Sequence, residues 1–278
     1  MYFRPSTLHE AVDTLSRHGG QILSGGTDFF PALGERQVSG PVVDISGLSE
    51  LRGISIETDR IRIGGLTTWT EVLRTPLPTC YDGLKSAARE VGSIQIQNRG
   101  TVAGNLCNAS PAADGIPPFL TLNAIIELAS QTGTRHLPLA EFVLGNRKTA
   151  RRPDEVLAAV MIPREVDGAR SAFVKLGSRR YLVISIVMVA AVVQVDASGR
   201  VAQARIAVGS CSAVAQRLTE LERTLVGAQV ALGFSDVVSR EHLTRLAPID
   251  DVRATADYRS DVALTLVKRT LEQCVEAR

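Results

Sequence analysis

The sequence predicts an α+β protein of more than one domain, and three observations lead there. A strand–helix–strand pattern fills roughly the first 57 residues, short alternating hairpins follow it, and helical patterns gather in the last third. The chain has 278 residues, 45% hydrophobic and 22% charged, which is enough for two or three domains with ordinary cores.

The first helix is expected over residues 6–18, "STLHEAVDTLSRH", where Leu8, Val12 and Leu15 share a face. Ser6 or Thr7 can cap it, and Gly19-Gly20 ends it. "QILSGGTD" reads as a strand running into glycines, and "PVVDISGLSEL" (41–51) as a second strand. "RGISIE" and "RIRIGG" alternate around the turn "TD", which predicts a hairpin. Thr67-Thr68 opens a helix, and "GLKSAAREVGS" (83–93) is another, closed by Gly92.

Residues 98–118, "NRGTVAGNLCNASPAADGIPP", read as a preorganised loop, with Pro111, Pro117 and Pro118 pinning the backbone. "FLTLNAIIELAS", "GTRHLPLAEFVLG" and 147–163 resume strands and short helices, the last strand ending at Pro163. "REVDGAR" (164–170) is a polar joint. The apolar run 181–195 is too short to span a bilayer and reads as a buried strand or a helix–strand passage. Helices are expected at 217–226, 235–245 and 258–276. The domains so predicted are 1–57, 58–168 and 169–278.

Charge and cysteine content exclude several function classes. Lys and Arg total 31 against 29 acidic residues, a formal net charge of +2, so nucleic acid is not a favoured partner. Cys80, Cys107, Cys211 and Cys274 are far apart, with no CxxC or His/Cys spacing for zinc or iron–sulfur ligation. Isolated thiols and an N-terminus without signal-peptide character point to the cytoplasm. No GxSxG, HExxH, P-loop or GxGxxG sequence occurs, which removes hydrolytic, metal-centred and Rossmann readings. Trp69 and His136 have no partner motif and read as structural.

Two stretches carry chemistry. In "LSGGTDFF" (23–30), Gly25-Gly26 can turn tightly and aim backbone N–H groups at an anion, with Thr27 adding a hydroxyl. Asp28 can cap the next segment or accept from a ribose hydroxyl. Alone, such a pair is an ordinary turn. The second stretch gathers Gly100, Thr101, Gly104, Asn105, Asn108 and Ser110, and two such segments together can hold an extended diphosphate ligand. Asp114 either accepts from ribityl or ribose hydroxyls or caps the helix that follows. Lys175, in "FVKLGSRR", either neutralises an anionic cofactor or marks a solvated strand end, and Arg179 and Arg180 can reach a carboxylate or phosphate.

In order along the chain, "LSGGTD", "NRGTVAGNLCNASPAAD", "GNRKTARRPDEVLAAVMIP", "FVKLGSRR" and "ARIAVGSCSAVAQRLTELERTLVG" resemble one family. It is the FAD-binding medium subunit of molybdenum hydroxylases, the group of xanthine dehydrogenase and aerobic carbon monoxide dehydrogenase. The resemblance implies a two-part FAD-binding domain of the vanillyl-alcohol-oxidase (PCMH) type, followed by an α+β C-terminal domain of the CO dehydrogenase flavoprotein type. It implies FAD as cofactor, held by Ser24, Gly25, Gly26, Thr27 and Asp28 in a first loop. Thr101, Val102, Ala103, Gly104 and Asn105 form a second, and Asp114, Leu157 and Lys175 fall at further flavin-contacting positions.

Molybdopterin and 2Fe-2S clusters are implied on a large and a small partner subunit, in a dimer of heterotrimers, with NAD, a quinone or oxygen as electron acceptor. A free-standing FAD-dependent oxidoreductase and a flavin-free scaffold are the competing readings. Two departures stand out. Ala103 replaces the first glycine of the family's usual GGN, and Tyr181, Leu182, Val183 and Ile184 follow the basic pair where some members of the family carry acidic or aromatic residues.

Overall fold

A computed structural model describes residues 1–231 and 233–276. The chain divides into two units, each woven from separated segments. The first comprises Met1–Thr75, Ser93–Ala109 and Ala124–Pro163; the second comprises Pro76–Gly92, Ser110–Asn123 and the chain from Arg164 onward.

The first unit holds a small parallel sheet and a larger antiparallel one. Strands β1 (Tyr2–Phe3), β2 (Gln21–Leu23) and β3 (Val42–Asp44) pair in the order β1-β3-β2. The helix Leu8–His18 connects β1 to β2. Thr7 caps it by accepting from the Glu10 amide at 3.1 Å, and Gly19 closes it in the left-handed region, φ 61°. Its Ala11, Val12 and Leu15 pack with Val43, Ile45 and Leu51 in one core cluster. Strands β4 (Ile54–Ile56) and β5 (Arg60–Gly64) form the expected hairpin, with Ile54 opposite Ile63. They join β6 (Ile125–Ser130), β7 (Gly133–Pro138) and β10 (Val156–Pro163) in the order β4-β5-β10-β6-β7, all antiparallel. Two short strands, β8 (Val143–Gly145) and β9 (Lys148–Thr149), pair separately.

The second unit is built on β11 (Arg170–Leu176), β12 (Val187–Val195), β13 (Val201–Gly209) and β14 (Gln216–Arg217), which neighbour one another in that order. The helix Ala256–Val275 packs on β11 and β12. Val187, Val189, Ala191 and Val193 share a cluster with Ala263, Leu266, Val267 and Leu271 of that helix. Met188 and Ala190 point the other way, to Ala87 of the helix Asp82–Glu90. Both faces of β12 are therefore covered, which is why its sequence is continuously apolar rather than alternating.

Three expectations differ from the structure. Residues 102–108 form a helix, Val102–Asn108, where a loop was expected. Thr101 caps it through its hydroxyl to the Gly104 amide, and the first proline, Pro111, lies beyond its end, so no residue within it breaks the backbone pattern. Residues 235–245 form two 3-10 turns, Phe234–Val237 and Arg240–Leu243, rather than one helix, because the extended backbone of Ser239 separates them. The run from 181 is a loop up to Ile186, and only then the strand β12.

Candidate functional site

In the first unit, the turn after β2 and the segment before Val102 lie against each other. The Ser24 and Thr101 hydroxyls are 3.3 Å apart. A Cβ at Gly25 would lie 2.1 Å from the Arg99 carbonyl oxygen, so Gly25 is glycine because two backbones touch there. Gly26 is glycine for another reason, its φ of 77°.

The two segments differ in what they offer a ligand. Among the described residues, the backbone N–H groups of Ser24, Gly25, Gly26, Thr27 and Asp28 have no hydrogen-bond partner. In the second segment four amides are used: Val102 donates to Thr67, Ala103 to Gly65, Gly104 to the Thr101 hydroxyl and Asn105 to the Thr101 carbonyl. The second segment therefore offers side chains. Asn105 Oδ1 is buried with no partner, an acceptor able to take a hydroxyl or N–H donor. The methyl of Ala103 does not face outward. It lies 3.2 Å from where a Gly65 Cβ would be, and the Leu157 carbonyl oxygen is 2.3 Å from that same point. Bare Gly65 thus accommodates both neighbours, and the Leu157 side chain is buried in the core.

A cavity of about 310 Å³ adjoins the first turn, lined among others by Ser24, Gly25, Gly26, Phe30, Asp44 and Arg99. Arg99 was not singled out from sequence, although it directly precedes the Gly100-Thr101 pair. Its side chain has no partner among the described residues, so its charge is available to an anion. Asp28 stands at the cap position of the helix Phe29–Leu33 but makes no cap bond, leaving its carboxylate unengaged. At the far wall, burial pushes the Asp44 carboxyl up, but hydrogen bonds from Ser46 and Tyr2 and the Arg4 charge outweigh it. They hold Asp44 below the ordinary carboxylate range. Five free amides, an unpaired guanidinium and an orphaned amide oxygen fit a diphosphate joined to hydroxyl-bearing groups.

In the second unit, Asp114 is neither a helix cap nor open to solvent. The helix Ile116–Thr121 starts from Gly115 with no side-chain cap. Lys175 Nζ donates to Asp114 Oδ2 at 2.8 Å, and the Ser185 hydroxyl donates to Oδ1 at 2.7 Å. The Lys175 and Asp114 side chains are only 6% and 9% exposed, so Lys175 is a buried partner rather than a solvated strand end. Burial raises the Asp114 carboxyl above its ordinary range, with Lys175 and Ser185 pulling it partly back. Ser185 is a second residue that sequence reasoning missed, since a lone serine after an apolar run carries no signal. Arg179 and Arg180 reach no carboxylate among the described residues. Arg179 donates to the Leu182 carbonyl, and Arg180 lies 5.3 Å from the Tyr181 ring centroid.

Comparison with known proteins agrees with this geometry. Residues 1–165 match the family model of the FAD binding domain in molybdopterin dehydrogenase, and residues 172–274 match the CO dehydrogenase flavoprotein C-terminal domain. The chain is 35% identical over 239 residues to the nicotinate dehydrogenase FAD-subunit of Eubacterium barkeri, covering 83% of this chain and 81% of that one. It is 31% identical over 281 residues to a putative xanthine dehydrogenase FAD-binding subunit of Escherichia coli, covering 99% and 96%. Among solved structures, carbon monoxide dehydrogenase from Hydrogenophaga pseudoflava superposes with a TM-score of 0.89 at 27% identity, covering 98% of this chain and 96% of that one. Quinoline 2-oxidoreductase from Pseudomonas putida gives 0.89 at 26%, covering 98% and 95%.

Proposed function

The chain belongs to the FAD-binding subunits of the molybdenum hydroxylases, an oxidoreductase family, and on that premise we propose which of its residues hold the flavin and what the subunit does. The turn Ser24, Gly25, Gly26, Thr27 and Asp28 supplies backbone donors to the FAD diphosphate, and Arg99 adds a charge. Thr101, Val102, Ala103, Gly104 and Asn105 form the second wall, with Asn105 accepting from a ribityl hydroxyl. Asp114, Leu157 and Lys175 are further flavin contacts. The observation that carries this reading is the row of unpartnered N–H groups from Ser24 to Asp28 beside a cavity with an unpaired arginine. Bound FAD supplies reversible two-electron chemistry, and the protein's part is placement and electrostatics.

As a subunit, the chain relays electrons from 2Fe-2S clusters on a small partner, which receives them from a large molybdenum-cofactor partner, to NAD, a quinone or oxygen. The assembly is a dimer of heterotrimers in the cytoplasm. Among the described residues, no helix is long and apolar enough to cross a membrane. Co-expression with a large molybdenum-cofactor subunit and a small 2Fe-2S subunit tests this reading. A coloured three-component complex is the expected result; a chain that purifies alone and oxidises a small molecule without partners would overturn it.

A further inference from the structure

One wall of the cavity beside the Ser24–Asp28 turn is tied into a sheet and the other is not. Leu23, Val42 and Asp44 belong to β2 and β3, whereas Phe29, Phe30 and Val38 come from the segment that connects those strands. The helix Phe29–Leu33 buries none of its five residues and has no side-chain cap. From Phe30 to Gly40 every residue except Leu33 is exposed. Among the described residues, the one hydrogen bond from residues 29–39 to the chain outside 26–39 runs from Gln21 Nε2 to the Ser39 carbonyl, at 3.4 Å. Gly26 and Gly40, at φ 77° and 83°, bracket the segment. Chain with so little buried area and so few tethers opens locally at low cost, and a single helical turn has no stability of its own.

Phe30 links this segment to the turn. A Cβ on Gly26 would lie 2.9 and 3.1 Å from two carbons of the Phe30 ring, so the ring rests on the bare Gly26 backbone. Its aromatic neighbour is Phe29, in the same segment, with ring centroids 5.3 Å apart. Phe30 itself is 59% exposed. Gly26 stands in the middle of the five unpartnered amides, so a ligand that reaches them passes the ring. Gly26 is therefore grip and hinge together. An anion held by the amides of Ser24 to Asp28 fixes the backbone from which the segment swings.

We propose that residues 29–39 are a flap, hinged at Gly26 and Gly40, that swings aside to admit FAD and closes over its diphosphate, with Phe30 as the residue that holds it shut. The proposal rests on the flavin reading above. An exposed aromatic ring has apolar area still to bury, and closing on the ligand buries it. Closure acts on the release of FAD more than on its capture.

Limited trypsin digestion of the full-length chain, flavin-free and FAD-loaded, tests this through Arg36, the sole Lys or Arg between Gly26 and Gly40. Its guanidinium is held by the Ala32 and Leu33 carbonyls, inside the flap. Cleavage after Arg36, counted as new chains beginning at Gln37, should slow by at least ~10-fold when FAD is bound, because proteolysis follows the open population. Cleavage after the exposed Arg253, in the second unit, is the control and should not change. Phe30→Ala at saturating FAD should leave Arg36 cleavable and speed FAD dissociation by roughly 10-fold, and Phe30→Leu should restore most of both. Phe30 is exposed, so these variants keep their fold, which an unchanged melt of the flavin-free chain verifies. Equal cleavage at Arg36 with and without FAD, equal protection at Arg36 and Arg253, or a Phe30→Ala chain as protected as the parent would each overturn the proposal. Those outcomes in a chain that visibly holds FAD sink the flap alone, whereas a chain that takes up no FAD sinks the flavin reading and the flap with it.

Discussion

A methyl group added at Gly25 puts the flavin turn under a load that can be worked out from the structure. The new Cβ would stand 2.1 Å from the Arg99 carbonyl oxygen, 2.9 Å from its carbon and 3.2 Å from the Gly100 Cα. All three atoms are backbone, so no rotamer change relieves the contact. Ordinary carbon–oxygen approach is about 3.3 Å, so the two segments must part by roughly 1 Å. Overpacking of this kind costs about 1–3 kcal/mol in fold stability.

The effect on FAD should be larger than the effect on the fold. Shifting the amides of Ser24 to Asp28 by about 1 Å takes donor–acceptor distances from about 2.9 Å out of hydrogen-bonding range. Loss of one charge-assisted bond, about 1.5–3 kcal/mol, raises the FAD dissociation constant by roughly 10- to 100-fold. Calorimetric titration of the flavin-free Gly25→Ala chain with FAD measures this, and a thermal melt confirms that it is folded. Gly26→Ala is the internal comparison. Its Cβ would meet only the edge of the Phe30 ring at 2.9 Å, and Phe30 is an exposed side chain free to move aside. The cost there is the left-handed backbone, about 1 kcal/mol, so FAD binding should weaken less than in Gly25→Ala. A folded Gly25→Ala chain that binds FAD as tightly as the parent would refute the contact argument.

Other residues give independent tests. Asn105→Leu should stabilise the flavin-free chain slightly, by up to about 1 kcal/mol, because it removes an orphaned buried oxygen, yet weaken FAD binding; melts with and without FAD should move in opposite directions. Asp114→Asn leaves Lys175 buried without its counter-charge and should cost about 3 kcal/mol by chemical denaturation, with much of it recovered in Asp114→Asn/Lys175→Met. In the second unit, the Arg253 amide foremost, with the Arg259 and Arg253 side chains, pulls Asp251 down to about 2, outweighing the opposing effect of desolvation. A carboxylate depressed from 3.8 contributes stability that is fully present above pH 3.8 and lost as pH falls towards 2. Asp251→Asn should therefore destabilise the chain near neutrality by no more than about 1 kcal/mol, since solvent screens this exposed carboxylate, with the difference shrinking across that acid window in pH-dependent denaturation.

Local patterns made much of the fold legible. The capped first helix, the hairpin of β4 and β5 and the stop at Pro163 each follow from residues adjacent in sequence. The 102–108 helix was hidden because glycine and asparagine are loop residues by composition. What makes the helix is Thr101 as cap, together with bonds from Val102 to Thr67 and Ala103 to Gly65, which are tertiary. The same holds for the reason behind Gly25. Sequence reading assigns its bare backbone to an approaching phosphate, and the structure shows that the protein's own Arg99 carbonyl already occupies that space. Sequence left Lys175 open between a cofactor's counter-charge and a solvated strand end because its partner is Asp114, 61 residues away, and only folding shows that the two are buried together.

The account's central claim is that this chain holds FAD, and the visible absorption spectrum of the purified protein, followed by titration with FAD, tests it most directly. Flavin bands saturating at a single FAD per chain are the predicted result. A folded, colourless protein that FAD cannot reconstitute would contradict the claim.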